Sequence, residues 1–334
     1  MIIGAGPAGS IAARELARRG ASVLLVDKAQ FPRPKVCGCC LNGAALAALD
    51  NLGLAHVPDK CGAVSLRSMI LAAGRHSAEL RLKESVSVSR EAFDAALVRQ
   101  AEIAGATFAS GTMVKLDDTS SDECRSLTLA PGQKLLTRIA IVATGLSGMD
   151  SHADVGSRLG AGVIVPKESV PTFFETCRLY MATGNGGYVG LVRLEDDRLD
   201  IAAAFDAGFV LASGGLGRAA ALILKSTAWP AIADLSEMPW KGTPALTRRP
   251  SAVAGHRLFA VGDAAGYVEP FTGEGMAWAI SSASALAPIA VEALNSWDDR
   301  WMRQWQRTHA RIVGRRQGVC RIAARVLRSP ALTW

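Results

Sequence analysis

The sequence predicts an α/β protein in which a nucleotide-binding α/β domain is interrupted by an antiparallel β-sheet domain and followed by C-terminal helices. A strand, a glycine-rich turn, a helix and a second strand follow one another within residues 1–27. A similar strand and glycine-rich turn return at residues 258–266. Between them the pattern changes to successive strands that alternate apolar and polar residues. We assign residues 1–159 and 255–295 to the nucleotide-binding domain, 160–254 to the β-sheet domain and 296–334 to a basic helical segment.

The composition is typical of a globular protein with a large core. The chain has 334 residues, of which 49% are hydrophobic, and this excludes a disordered protein. Seven cysteines, an odd number, fit a reducing compartment better than a disulfide framework. No secretory signal is visible, and the longest uncharged stretch, Met276 to Val291, is shorter than the roughly 18 residues that a membrane span requires. We expect a soluble, cytoplasmic protein.

The positive charge is concentrated at the C-terminus. The formal net charge is +7, and nine arginines with no acidic residue lie between Arg300 and the end of the chain. Trp301 and Trp305 are interleaved with these arginines, as in a basic amphipathic helix that lies on the anionic inner face of a membrane. The alternative is a helix that packs on the protein and leaves its arginines in solvent. Nucleic acid is not expected as a partner, because no recognised binding module accompanies the charge.

The N-terminal stretch MIIGAGPAGSIAARELARRGASVLLVD is a complete βαβ dinucleotide-binding fingerprint. Gly4 allows the tight turn, Gly6 lets the backbone approach a pyrophosphate at the helix N-terminus, and Gly9 lets helix and strand pack closely. Asp27 ends the second strand, where an acidic side chain bonds an adenosine ribose hydroxyl. The predicted cofactor-binding residues of this stretch are Gly4, Gly6, Pro7, Ala8, Gly9, Asp27 and Lys28.

A second glycine-rich stretch, RLFAVGDAAGYVEPFTGEGMAWAI, follows a strand and leads into a helix. Together with GAGPAG, its GDAAG and PFTGEGM segments resemble the FAD-binding elements of flavoprotein monooxygenases of the p-hydroxybenzoate hydroxylase type and of the related geranylgeranyl reductase family. The resemblance implies FAD as the cofactor and a Rossmann-like FAD-binding domain with an inserted antiparallel β-sheet substrate domain. Asp263 would bond the ribityl chain, and the helix start would face the pyrimidine side of the flavin. The cofactor-binding residues implied here are Gly262, Asp263, Gly273, Gly275 and Met276.

Two intermediate segments resemble the same families. VSREAFDAAL resembles their Arg-x-x-Phe-Asp-x-x-Leu helix, which implies that Arg90 lies at the edge of the cofactor. The strand that ends at Ala143 leads into Thr144 and Gly145, where many hydroxylases of this class carry an Asp-Gly pair that contacts FAD and the nicotinamide cofactor. Threonine replaces that aspartate here, which argues against direct NADPH-dependent hydroxylation.

Three cysteines lie within the segment KVCGCC. A metal site is not expected, because the cysteines lack the two-to-four-residue spacing of zinc ligands. FPRPKVCG resembles the FPRxKxCG stretch of the geranylgeranyl reductase family, which implies that Cys37 and Gly38 lie along the edge of the flavin. By this resemblance Arg33 and Lys35 are candidate partners for a cofactor phosphate or a substrate anion, and Cys37 is the candidate catalytic residue, as proton donor or gate. Cys39 and Cys40 lie outside the matched pattern, and we expect them to be small buried apolar residues.

The predicted β-sheet domain carries several aromatic side chains. It resembles the sheet that forms the substrate cavity in these families, and its apolar character favours a small hydrophobic substrate. Each of these side chains could instead belong to the core. The aromatic candidates for the cavity wall are Phe173, Phe174, Tyr180, Tyr188, Phe205 and Trp240, of which Phe174, Tyr188, Phe205 and Trp240 are selected as substrate-lining residues.

Three functions remain open from the sequence. The overall layout favours an FAD-dependent monooxygenase that acts on a hydrophobic, aromatic or polyketide-like small molecule. KVCG and the basic C-terminus favour a reductase of isoprenoid double bonds, although the segment Gly186 to Leu194 lacks the Tyr-x-Trp-x-Phe pattern of the lipid reductases. The third is an electron-transfer flavoprotein. Reducing equivalents would come from transiently docked NAD(P)H or from a partner reductase or ferredoxin, because the chain has no second dinucleotide fingerprint.

Overall fold

The structure is a computed structural model that describes residues 1–147, 151–269, 273–318 and 320–321. The strands are β1 (Ile2–Ile3), β2 (Leu24–Val26), β3 (Cys40–Leu41), β4 (Val64–Ala73), β5 (His76–Ser87), β6 (Thr107–Ala109), β7 (Val114–Ser120), β8 (Arg125–Leu129), β9 (Gln133–Thr137), β10 (Ala140–Val142), β11 (Ser151–Ala153), β12 (Leu159–Val165), β13 (Arg178–Gly184), β14 (Gly187–Arg193), β15 (Leu199–Phe205), β16 (Lys241–Ala245), β17 (Arg248–Pro250), β18 (Ala254–Gly255) and β19 (Leu258–Ala260). The helices are α1 (Pro7–Ala17), α2 (Gly43–Asp50), α3 (His56–Lys60), α4 (Arg90–Ile103), α5 (Ala207–Ser213), α6 (Leu216–Ser226), α7 (Gly275–Asn295) and α8 (Arg300–His309).

The chain folds into two compact units. The first comprises Met1–Arg33, Asp94–His152 and Arg248–Trp334, and the second comprises Pro34–Phe93 and Ala153–Thr247. This division differs from the predicted boundaries because Pro34–Phe93 lies in the β-sheet unit. The physical reason is that β3, β4 and β5 hydrogen-bond into the sheet of that unit.

A mainly parallel sheet forms the centre of the first unit. Its strand order is β18-β19-β10-β1-β2-β6, and only the edge strand β18 runs antiparallel to its neighbour. Ile2 of β1 pairs with Leu25 on one side and with Ile141 on the other. The inner strands are short, buried apolar runs, as expected for a parallel sheet that is covered on both faces. A three-stranded antiparallel sheet, β7-β8-β9, also belongs to this unit. Its buried Leu127 packs in the same hydrophobic cluster as Ile3 and Val142 of the parallel sheet.

The second unit is built on a large mixed sheet. Its strand order is β16-β12-β15-β14-β13-β4-β5-β3. All neighbours are antiparallel except β13 and β4, where Tyr180 pairs with Ile70 in a parallel register. Strands β14 and β15 form an antiparallel hairpin, and Asp197 adopts a left-handed conformation in its turn with φ of 65°. The predicted α/β fold with an inserted β-sheet is confirmed.

Helix α7 is longer and more apolar than the sequence pattern indicated. It has 21 residues with a mean hydropathy of 1.4 over its most apolar window, which is sufficient by length and composition to cross a bilayer. In the structure 61% of that window is buried, and α7 packs against α1. Its environment is therefore that of a core helix.

Helix α8 begins the basic segment. Trp301 and Trp305 are buried, and the Trp305 indole Nε1 donates a hydrogen bond of 3.1 Å to the Ala260 carbonyl oxygen. The apolar face of α8 thus packs on the first unit, which is the second of the two arrangements considered above. The end of the predicted basic segment, residues 322–334 with Arg325 and Arg328, lies outside the described residues.

Candidate functional site

The glycines of the N-terminal fingerprint allow β1, β10 and α1 to pack closely. Gly4 has φ of 103°, and a Cβ atom there would lie 2.4 Å from the Ala143 carbonyl oxygen. A Cβ atom at Gly9 would lie 1.8 Å from the Gly4 carbonyl oxygen. Gly6 caps α1 without a side-chain hydrogen bond, and Pro7 occupies the first turn. The backbone N–H groups at the start of α1 can therefore donate hydrogen bonds to a bound anion.

Asp27 is held rigidly at the end of β2. Its carboxylate accepts hydrogen bonds from the Ala5 N–H at 2.8 Å and from the Ala29 N–H at 2.9 Å. The Arg33 guanidinium lies 3.5 Å from Asp27 and 3.2 Å from Asp94. Arg33 is thus paired with two carboxylates of its own unit. Asp94 is a residue that the sequence reasoning missed, although it is the aspartate of the quoted Arg-x-x-Phe-Asp-x-x-Leu pattern.

The second glycine-rich turn packs against the start of α1. Gly262 has φ of 61°, and a Cβ atom there would lie 2.8 Å from the Ala8 side chain. The half-buried Asp263 follows it in a 3₁₀ turn. Thr144 precedes a second 3₁₀ turn that packs on the first, and its buried Oγ1 has no hydrogen-bond partner among the described residues. The unit therefore brings together three predicted cofactor-binding segments around an unsatisfied hydroxyl group.

For the other predicted cofactor-binding residues, the structure gives the local environment. Gly275 begins α7 beside Tyr267, Met276 is buried, and Gly273 has φ of 71°. The preceding residues 270–272 of the predicted turn lie outside the described residues. Lys28, Lys35 and Gly38 are exposed to solvent.

In the second unit, Cys37 and Cys39 form one hydrogen-bonded pair of sulfur atoms just before β3. The Cys37 sulfur accepts hydrogen bonds from the Cys39 thiol, the Cys39 backbone N–H and the Arg90 guanidinium. These donors lower the pKa of Cys37 to about 5, with the Cys39 thiol as the largest cause. The same pairing, followed by burial, raises the pKa of Cys39 above its ordinary range. The pairing therefore favours the negative charge on Cys37 and the proton on Cys39.

Asp200 completes this cluster from β15. It is 4% exposed, its side chain is hydrogen-bonded to Cys39, and its Oδ2 atom has no partner among the described residues. Burial, and then the negative charge of Cys37, raise the pKa of the Asp200 carboxyl group well above its ordinary value. The sequence reasoning did not select Asp200, although it is the one charged residue in the strand sequence LDIAAAF.

Cys40 differs from Cys37 and Cys39 in its place in a strand. Cys40 belongs to β3 and pairs with Ser87 of β5. Burial is the largest cause that raises the pKa of its thiol above the ordinary range. Cys39 is 2% exposed and belongs to a hydrophobic cluster with Leu66, Val192 and Leu194, as the sequence indicated, whereas Cys40 is half-buried and packs against that cluster. Among the described residues, no group of histidine, cysteine and acidic side chains could hold a metal ion.

The four candidate substrate-lining residues have different environments. Phe174 and Phe205 are at most 1% exposed and belong to the hydrophobic core of the second unit. Tyr188 and Trp240 are half-buried. Arg158 lies over the Tyr188 ring at 5.7 Å, and the Trp240 indole donates a hydrogen bond to the Leu235 carbonyl oxygen.

A different cavity of about 300 Å³ opens on the same unit. Its apolar wall includes Phe173, Tyr180 and Trp229, and Arg75 and Arg178 line its polar side. Phe173 is 42% exposed, so an aromatic ring of this wall reaches solvent. Trp229 was not selected from the sequence, because it lies in an irregular segment after α6 with no strand periodicity.

The uncapped helix start, the fixed carboxylate of Asp27 and the unsatisfied hydroxyl of Thr144 fit a bound dinucleotide such as FAD. A family model described as "FAD binding domain" matches residues 1–185. The chain belongs to this family and is an FAD-dependent oxidoreductase, which confirms the resemblance found in the sequence. Within it, the backbone N–H groups of α1 would hold the pyrophosphate, Asp27 the adenosine ribose and Asp263 the ribityl chain.

Similar proteins include reductases and halogenases. A menaquinone reductase of Mycobacterium tuberculosis is 31% identical over 99% of this chain and 84% of its own length. A digeranylgeranylglycerophospholipid reductase of Methanopyrus kandleri is 25% identical over 92% of this chain and 87% of its own length. A flavin-dependent halogenase has a TM-score of 0.76 with 22% identity over 93% of this chain, which spans 61% of that protein. A flavoprotein of Cytophaga hutchinsonii has a TM-score of 0.78 with 17% identity, over 99% of this chain and 86% of its own. The two solved structures support the fold alone.

Proposed function

We propose that this enzyme reduces carbon–carbon double bonds in the isoprenoid chain of a lipid or quinone. The observation that carries the proposal is the Cys37–Cys39–Asp200 cluster, in which pairing with Cys37 and burial raise the pKa of Cys39, and burial raises the pKa of Asp200. Reduction of an isolated double bond adds a hydride to one carbon and a proton to the other. A protein acid that stays protonated at neutral pH supplies the second of these.

The similar proteins support the same choice of substrate. Menaquinone and digeranylgeranylglycerophospholipid, which two of the similar reductases are named for, both carry polyprenyl chains. The reductase hypothesis is therefore placed before the monooxygenase hypothesis that the sequence layout favoured. The replacement of the expected aspartate by Thr144 points in the same direction, since it removes the carboxylate that hydroxylases direct at the nicotinamide cofactor.

Each member of the cluster has a separate part in this proposal. FAD, when bound, supplies the hydride chemistry. Asp200 and Cys39 hold protons, and the Cys37 sulfur, which is half-buried, is the atom that transfers a proton from them to the substrate carbon. The Cys39 thiol and then the Arg90 guanidinium lower the pKa of Cys37, which makes a protonated Cys37 a strong proton donor to the substrate carbon. We further propose NAD(P)H, or a partner reductase or ferredoxin, as the source of reducing equivalents.

The test uses FAD-loaded protein reduced with dithionite under anaerobic conditions, which removes any need for the natural reductant. Menaquinone and a digeranylgeranyl phospholipid are added in detergent, and the products are exposed to air before mass spectrometry. We expect a product with two additional hydrogens that survives air, because a reduced quinone ring reoxidises whereas a reduced chain does not. Free FAD reduced in the same way serves as the control.

Two results would contradict the reductase function. A menaquinone product that returns fully to its original mass in air would indicate electron transfer to the ring. Oxygen-dependent formation of a hydroxylated product from an aromatic compound, without any chain reduction, would instead support the monooxygenase.

A further inference from the structure

We propose that Cys37 and Cys39 form a peroxide-sensitive redox pair, in which hydrogen peroxide oxidises Cys37 and Cys39 then closes a disulfide with it. The pair is independent of the lipid substrate, because the reaction involves only the two thiols and peroxide. It would reversibly remove the proton-storing thiols from the cluster described above.

The geometry of the segment favours this reaction. Cys37 packs against the cluster of buried side chains that contains Cys39 two residues later, and Cys39 has φ of 48°, a left-handed conformation that is uncommon for a residue with a side chain. The Cys39 carbonyl oxygen accepts a hydrogen bond of 2.9 Å from the Val88 N–H, which fixes the backbone at this point. Cys37 is half-buried and so can be reached by a small oxidant, whereas Cys39 is 2% exposed. Peroxide thus meets Cys37 first.

The electrostatics give the two cysteines different reactivities. Cys37 accepts hydrogen bonds from Arg90 and from the Cys39 backbone N–H, so its sulfur carries the negative charge of the pair. Thiolates are the nucleophiles that attack peroxide, and redox-sensitive cysteines of this kind commonly have a second thiol beside them. Cys37 is therefore the attacking residue, and Cys39 is the resolving residue.

The chemistry balances in two steps. The Cys37 thiolate attacks one peroxide oxygen, the O–O bond breaks, and with one proton the products are Cys37 sulfenic acid and water. The Cys39 sulfur then attacks the Cys37 sulfur, the S–O bond breaks, and a second water leaves with the Cys39 proton. The two thiols lose two electrons and peroxide gains them. Formation of the neutral sulfenic acid also removes the Cys37 charge, which is among the causes that raise the pKa of Cys39, so the resolving thiol becomes more reactive after the first step.

Cys40 is the matched control for this pair. It is adjacent in sequence to Cys39, yet it lies in β3 and its thiol is held in the protonated form by burial. The three cysteines also fall in a single tryptic peptide, residues 36–60, so that a disulfide within it is read directly as the loss of two hydrogens.

The experiment treats FAD-loaded protein with hydrogen peroxide, blocks free thiols with N-ethylmaleimide and maps the peptide of residues 36–60. We expect the wild-type protein and Cys40→Ser to lose two blockable thiols, at Cys37 and Cys39, and to regain both with dithiothreitol. Cys39→Ser should stop at a sulfenic acid that dimedone captures on Cys37, and Cys37→Ser should leave Cys39 fully blockable. Retention of bound FAD, read from its visible absorbance, shows that each variant is folded.

Several outcomes would overturn the redox pair. Full blocking of Cys37 and Cys39 after peroxide treatment of the wild-type protein is one of them. A disulfide that includes Cys40, or unchanged oxidation of Cys39 in Cys37→Ser, would equally exclude the assigned roles. If either variant loses FAD, the wild-type peptide map alone decides, because it requires no substitution.

Discussion

Arg33 forms an ion pair with Asp94, with 3.2 Å between Nη1 of Arg33 and Oδ2 of Asp94, and Asp94 is fully buried. The same guanidinium lies 3.5 Å from Asp27, the carboxylate at the end of β2. Arg33 therefore links the dinucleotide fingerprint to α4 within the first unit. It holds Asp27 in place and shares its charge between two carboxylates, which leaves it less suited to bind a phosphate than the sequence suggested.

We expect Asp94→Asn to destabilise the protein by about 3 kcal/mol, because removal of one partner leaves a largely buried guanidinium poorly compensated. It should also weaken FAD binding, since Arg33 would shift toward Asp27. Urea unfolding and titration with FAD measure the two effects. The exposed Asp50→Asn is the control, and an Asp94→Asn protein with unchanged stability would show that this ion pair does not stabilise the unit.

The close packing around Gly9 leads us to expect that a side chain at this position is not tolerated. Gly9→Ala would place a Cβ atom 1.8 Å from the Gly4 carbonyl oxygen, so β1 and α1 must move apart. We expect loss of FAD binding and destabilisation by several kcal/mol, on the order of the largest effects of single substitutions. Gly208→Ala, in α5, meets no atom within 4 Å and should be neutral or slightly stabilising. FAD retention after gel filtration distinguishes the two variants, and an FAD-loaded Gly9→Ala protein would contradict the steric argument.

Local patterns in the sequence were sufficient to predict the βαβ segment of the first unit, because Gly4, Gly9 and Asp27 belong to one continuous stretch of chain. The Cys37–Cys39–Asp200 cluster could not be predicted in the same way. Asp200 meets Cys39 only because β15 and the segment before β3 belong to one unit, and no periodicity relates residues so far apart in sequence. The same limit explains why the predicted domain boundaries differ from the two units of the structure. The strands of Pro34–Phe93 join a sheet that is otherwise made of later residues.

The pH dependence of Cys37 alkylation tests the contact with Arg90. Since the pKa of Cys37 is lowered to about 5, its thiolate persists as the pH falls and is lost only near pH 5, whereas an ordinary thiol is protonated below about pH 8.5. We expect iodoacetamide labelling of Cys37, followed by mass spectrometry, to show this low midpoint. Arg90→Gln should raise the midpoint, and the exposed Arg67→Gln should leave it unchanged. A wild-type midpoint near pH 8.5 would contradict the assigned thiolate.

Asp200 should make stability depend on pH. Because its pKa is raised in the folded state, the folded protein keeps a proton that the unfolded chain releases above about pH 4. This contribution to stability is complete at lower pH and is lost as the pH rises. Asp200→Asn lacks the titration, so its stability relative to wild type should increase by up to about 1.4 kcal/mol per pH unit. Urea unfolding at pH 5, 6 and 7 measures the difference, with the exposed Asp234→Asn as control, and a constant difference would show that Asp200 is ionised.

We expect the exposed arginines of α8 to bind anionic lipid surfaces. Arg300, Arg303 and Arg307 are exposed and Arg311 follows, whereas Trp301 and Trp305 are buried, so the contact would involve headgroups without insertion of apolar side chains. Each arginine near an anionic bilayer contributes about 1 kcal/mol. The triple change of Arg303, Arg307 and Arg311 to Gln should therefore weaken binding to phosphatidylglycerol vesicles on the order of 100-fold, and high salt should act similarly. The same change of charge at Arg18, Arg67 and Arg81 is the matched control. Equal losses in both triple variants in vesicle flotation would assign the effect to net charge, and absence of binding by the wild-type protein would exclude this surface as a membrane contact.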